Sequence, residues 1–136
     1  MDNDDRERLR DLSTRLMRLH RLLLDRERGR YEDRHGAIPS RELFGLVLND
    51  EQFAWLRSLS TLIAQIDEVV DAAEAIAPET ALSAFREARR LLKSGDPGEF
   101  RDKYHAALQD SADIVMAHAD VSRVLGSAND PPAAAL

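Results

Sequence analysis

His20, His35, His105 and His118 are the side chains of this 136-residue chain that titrate nearest neutral pH, so acid/base or metal chemistry would have to begin with them. His118 stands out by spacing. It falls between Ile114 and Val121 on an inward seam that also carries Tyr104 and Ser111. A buried imidazole needs hydrogen-bond partners, and Asp67 and Asp71, four residues apart beside the seam of another helix, could supply carboxylates. His118, Asp67, Asp71, Ser111 and Tyr104 therefore make a candidate polar pocket, suited to general acid/base work or to holding a small ligand. The same pattern fits a hydrogen-bonded core histidine that fixes helix register, which is the commoner use of such a residue.

The other histidine contexts are weaker. A di-metal carboxylate bundle needs inward acid-x-x-His pairs, which Glu32 with His35 and Asp102 with His105 imitate. The first pair sits at a helix end, and the second points off the apolar seam, so no metal site or cofactor is expected. A phosphotransfer histidine would be exposed and followed by small residues. His20 is followed by bulky leucines, and His118 is predicted to face inward.

Arginine supplies the second constellation. Between Arg6 and Arg30 lie nine arginines and four acids, although the chain as a whole carries a net charge of -6. Arg8, Arg15 and Arg18 share one side of the predicted first helix, and Arg21 and Arg28 form an adjoining row. An arginine face can neutralise phosphates, but the overall acidity and the lack of stacking aromatics on this face argue against nucleic acid. Pairing with acids on neighbouring helices or on a second subunit is the expected use, which makes Arg15, Arg18 and Arg21 the candidate interface. Phe44, Phe53 and Trp55 form an aromatic cluster that either closes the core or anchors a protein contact.

These residues are positioned by helices. Few aromatics, few glycines and little strand-like alternation indicate an all-α chain. No cysteine is present, which excludes disulfides and thiolate chemistry; Met1 leads into an Asp- and Arg-rich segment without a seven-residue apolar core and no run approaches 18 apolar residues, so neither a signal peptide nor a membrane span is expected and the cytoplasm is the default location. The first helix should run from near Asp4 to His35 on a Leu9, Leu12, Leu16, Leu19, Leu23 seam, with a kink or break possible at Gly29. Ser40 should cap a short second helix, and Asn49 with Gln52 should open a third. Its seam reads Leu56, Leu59, Ile63, Ile66, Val70, Ala73, Ala77, with Trp55, Leu62, Val69 and Ile76 in a parallel row, ending at Pro78. The fourth helix, from Pro78 to about Lys93, should bury Leu82, Phe85, Ala88 and Leu92. A fifth should begin at Asp96 and Pro97 and continue to Gly126 on a Phe100, Tyr104, Ala107, Ser111, Ile114, His118, Val121, Leu125 seam.

Short connections between long amphipathic helices predict an antiparallel four-helix bundle with an additional short helix, forming one domain over 1–126, followed by a disordered tail over 127–136. The segments ELFGLVLNDEQFAWLRSLSTLIAQIDEVVD and YHAALQDSADIVMAHADVSRVL resemble a group of small uncharacterised bacterial helical proteins. That resemblance implies a compact bacterial helical domain and carries over no functional residue. The expected function is non-catalytic, through contacts with another protein or a homodimer. The alternative is a ligand-binding or enzymatic bundle built around His118 and the acids of the third helix.

Overall fold

A computed structural model describes residues 2–93 and 97–129 of the chain; these are helical apart from short connections, and no strand occurs among them. No helix among the described residues is long and apolar enough to cross a membrane. The elements are α1 (Asp2–His35), α2 (Ser40–Asn49), a 3₁₀ segment (Glu51–Leu56), α3 (Arg57–Asp71), α4 (Pro78–Lys93), α5 (Glu99–Asp110) and α6 (Ala112–Asn129). Pro39 and Pro78 stand where helices open, whereas Pro97 lies in a bend and α5 begins only at Glu99, after Gly98.

The fold is organised around α1, which packs most extensively against α3 and α6. Its five seam leucines, from Leu9 to Leu23, are fully buried, because a repeat alternating three and four residues puts them on one stripe. The helix passes through Gly29 without a break. Contacts on the far side hold it: Arg28 pairs with Glu32 at 3.3 Å, Glu32 accepts the Ile38 N–H at 2.8 Å, and the Tyr31 and His35 rings lie 4.2 Å apart. Gly36, with φ at 88°, then terminates α1 in a conformation that favours glycine, donating its N–H to the Glu32 carbonyl.

The remaining helices depart from the periodic expectation at their ends. Pro39 occupies the cap position of α2, leaving Ser40 inside the helix with no side-chain cap. Asp50, one residue after the expected Asn49, accepts the Gln52 N–H and opens the 3₁₀ segment rather than α3 itself. α3 stops at Asp71, several residues before Ile76, because Arg6 reaches across from α1 and donates to the carbonyls of Val70, Ala72 and Glu74. That guanidinium satisfies carbonyls left open at a helix C-terminus. The seam from Leu56 to Val70 and the parallel Trp55, Leu62 and Ile76 are buried, while Ala73 and Ala77 are exposed. In α4 the first core position is Ala81 rather than Leu82, which is 39% exposed.

The largest departure is in the expected fifth helix, which is two helices. Ser111 adopts an extended conformation (φ -140°, ψ 117°), and its hydroxyl accepts the Ile114 N–H at 3.2 Å, so it caps α6 instead of lying on a continuous seam. The core side of α6 is Ile114, Ala117, Val121 and Leu125, with His118 half-buried at its edge. Asp96, the expected cap of α5, and residues 130–136 of the expected tail lie outside the described residues; α6 itself continues to Asn129, three residues past Gly126.

Candidate functional site

The bend at Ser111 decides what His118 touches. Tyr104 and His118 are fourteen residues apart, about 21 Å along an unbroken α-helix, yet the Tyr104 hydroxyl lies 2.7 Å from His118 Nδ1. Folding α5 back against α6 makes that contact. Burial raises the Tyr104 pKa and so keeps the phenol protonated, and its O–H then donates to Nδ1; this assignment puts the imidazole proton on Nε2. Burial, helped by the charges of Lys93 and His105, lowers the His118 pKa and favours the neutral ring. The nitrogen that a general base would use is therefore occupied by the tyrosine.

The rest of the expected pocket does not converge on this pair. Asp67 accepts a hydrogen bond from Ser13 of α1 at 2.5 Å, which gives a buried hydroxyl its acceptor at the α1–α3 contact. Asp71 is exposed at the end of α3, and Ser111 is spent on the α6 cap. The acid-x-x-His pairs are likewise separated from one another: Glu32 is bound to Arg28 and Ile38, and Asp102 and His105 are exposed. Among the described residues, no group of three or more histidine, aspartate or glutamate side chains could hold a metal ion.

A second polar centre was not anticipated. Glu27 of α1 is 3% exposed, and its carboxylate accepts from Trp55 Nε1 at 3.2 Å, Gln52 Nε2 at 2.9 Å and Arg26 Nη1 at 3.4 Å. Arg26 continues to Asp110 at 2.6 Å, tying α1 to the end of α5. Position 27, four residues beyond Leu23, continues the leucine stripe, so a glutamate there was the signal available in the sequence. Trp55 and Phe53 are buried, whereas Phe44 is 69% exposed, so the aromatic cluster is divided between core and surface.

An aromatic row joins the two centres. Trp55 lies 5.4 Å from Phe100, Phe100 lies 5.4 Å from Tyr104 in a stacked arrangement, and Tyr104 lies 5.5 Å from His118, all between ring centroids. Such pairs add about 0.5–1.5 kcal/mol each beyond their buried area. A shallow cavity of about 590 Å³ beside Glu27 is lined by Arg30, Arg34 and Lys103 and by Glu51 and Glu99, a near-balanced set with no preference for either sign of ligand charge. A larger groove, about 850 Å³, runs between α3 and α4.

The candidate interface residues also separate. Arg15 is occupied within the chain by Asp11 at 3.0 Å and Asp120 at 2.6 Å. Arg18 and Arg21 are exposed and have no ion pair among the described residues. Comparison with known proteins gives no matching family model, no matching curated protein and no matching solved structure.

Proposed function

We propose that this chain is a non-catalytic helical protein of the cytoplasm that works through protein contacts, with a homodimer as its first partner. In this reading α1, α3, α4 and the α5–α6 arm form the antiparallel four-helix bundle and α2 is the additional short helix. The observation that carries it is the exposure of Phe44, Met116, Leu48 and Met17 at 69%, 66%, 51% and 47% on a chain whose other large apolar side chains are mostly buried. Tyr104 and His118 bond to each other, Asp67 and Ser111 are taken by Ser13 and the Ile114 N–H, and Asp71, Asp102 and His105 face water, which favours a scaffold over a reaction site. Arg18 and Arg21 extend the contact surface along α1.

Sedimentation velocity across a wide concentration range tests this. A dimer that dissociates on dilution is expected, and a monomer at every concentration would refute it. A second reading, a ligand site at the Tyr104–His118 pair, is favoured by the half-burial of His118. Chemical shift changes at His118 with metal or a ligand library would support it; a ring that responds only to pH would not.

A further inference from the structure

The single tryptophan and one of the two tyrosines are buried, and each has a base at its acidic proton. Trp55 Nε1 donates to the Glu27 carboxylate at 3.2 Å, and the Tyr104 hydroxyl donates to His118 Nδ1 at 2.7 Å. Phe100 stands between the two rings, its centroid 5.4 Å from each. In a chain without cysteine, indole and phenol are the side chains that most readily give up one electron, and here they are joined through ring contacts.

Losing an electron turns an indole N–H or a phenol O–H into a strong acid, so a buried ring is oxidised easily only where a base takes its proton. Burial makes the Tyr104 phenol harder to deprotonate than usual, so its proton stays in place until the electron leaves and must then move to His118. The imidazole is suited to this, since its Nδ1 lone pair already faces the O–H and the ring is half-buried at the edge of α6. Tyr31 offers a contrast. It is half-buried against Phe53, and its hydroxyl has no hydrogen bond among the described residues.

We propose that Trp55, Phe100, Tyr104 and His118 form a relay for oxidising equivalents, which moves an electron vacancy from the indole to the tyrosine–histidine pair and spares the core tryptophan from irreversible oxidation. The oxidant is a one-electron acceptor of the carbonate-radical class, reaching the shallow cavity beside Glu27 and Gln52. It takes one electron from Trp55 and is reduced, while the indole proton passes to Glu27. An electron then moves from Tyr104 past Phe100 to the indole, Glu27 returns the proton to Nε1, and the phenol proton moves to His118 Nδ1. The direction is downhill because a phenoxyl whose proton is held by a base is the lower-energy radical. The products are intact tryptophan, a neutral phenoxyl radical and an imidazolium. A one-electron donor of the ascorbate class then reduces the phenoxyl, and His118 gives its proton back. This activity is independent of self-association and operates in a monomer or a dimer.

Transient absorption on the full chain tests the relay. A laser pulse that only tryptophan absorbs ionises Trp55, dissolved oxygen takes the ejected electron, and the indolyl and phenoxyl radicals are followed at their separate bands. The phenoxyl band is expected to rise as the indolyl band decays, at a rate independent of protein concentration. Tyr104→Phe keeps the ring and should abolish the phenoxyl band, whereas Tyr31→Phe should leave it unchanged. His118→Phe should slow the transfer by about a hundredfold or more, the usual contribution of a positioned base. Transfer in the native protein should also be slower in deuterium oxide than in water, a measurement that needs no variant. Under continuous generation of carbonate radicals with ascorbate present, Tyr104→Phe should lose Trp55 fluorescence faster than the native chain. Circular dichroism verifies that each variant folds. Indolyl decay without a phenoxyl band, a rate proportional to protein concentration, or a phenoxyl band that survives Tyr104→Phe and vanishes in Tyr31→Phe overturns the relay. A rate indifferent to both His118→Phe and deuterium oxide overturns the role of His118, and equal loss of fluorescence in the two chains overturns the protection of Trp55.

Discussion

Truncating Glu27 tests whether its buried carboxylate holds α1 to the following segment. Glu27→Ala removes the acceptor of Trp55 Nε1 at a position 3% exposed, and a buried donor left without a partner costs about 1–3 kcal/mol. The lost Cγ methylene adds about 0.8 kcal/mol of burial. Two partners limit the damage. Arg26 keeps Asp110 at 2.6 Å, so no buried charge is stranded, and half-buried Gln52 can turn to water. The sum is about 3 kcal/mol, at the lower end of the 3–5 kcal/mol typical when a buried ion pair loses one member. Glu27→Gln keeps an acceptor oxygen but loses the charge, so it should cost about 1 kcal/mol.

Trp55 is the single tryptophan, so its fluorescence reports on the site directly during urea unfolding, with far-ultraviolet circular dichroism as the global probe. The two probes should coincide, and the denaturant slope should stay unchanged while the midpoint falls. A double-mutant cycle with Trp55→Phe should give a coupling of about 1–2 kcal/mol. A Glu27→Ala loss below about 0.5 kcal/mol would be the value of an exposed ion pair and would refute the argument that burial sets the cost.

Three further outcomes are expected. Gly29→Ala should stabilise the chain by up to about 1 kcal/mol, read as a rise in melting temperature, because Gly29 lies inside α1 and a Cβ there meets open space. Ser111→Ala should destabilise by about 1 kcal/mol through loss of the α6 cap; an unchanged denaturation midpoint would mean that the hydroxyl contributes nothing. Burial holds His20 and His118 below their ordinary 6.5, so the unfolded chain binds protons first: stability is complete above pH 6.5 and declines as pH falls through the lower folded values. The ring-proton resonances of His20 and His118 should titrate below 6.5, and His118→Phe should flatten the decline in that window. A second decline, from Glu32 held low by the Ile38 N–H and Glu87 held low by Arg90, begins only below 4.5.

The apolar seams were legible because their signal is local and repeated. Leu9 to Leu23 on α1, Leu59 to Val70 on α3, and Phe85, Ala88 and Leu92 on α4 are buried as their spacing requires. Helix ends were less legible where a distant residue sets them. Nothing between Val70 and Ile76 announces that α3 will stop at Asp71, because the stop is accepted through Arg6, more than sixty residues earlier. Glu27 was missed for a related reason: a carboxylate on a leucine stripe reads as the end of the stripe unless its donors are known, and two of them, Gln52 and Trp55, come from the 3₁₀ segment.

Ser111 shows why periodicity places a residue on a face without fixing the direction of the helix. The spacing Ala107, Ser111, Ile114 keeps the seven-residue rhythm, so one straight helix and two helices meeting at Ser111 bury the same apolar residues. The difference lies in the polar ones. In a straight helix Tyr104 and His118 would each need a partner from elsewhere; in the bent one each partners the other, and the serine hydroxyl is freed to cap α6. Of the polar residues that spacing placed on the inward faces, Tyr104 and His118 meet each other, whereas the hydrogen bonds of Asp67 and Ser111 go to Ser13 and the Ile114 N–H. A polar residue on an inward seam must find a partner, and at Ser111 the nearest one is the backbone of its own next turn.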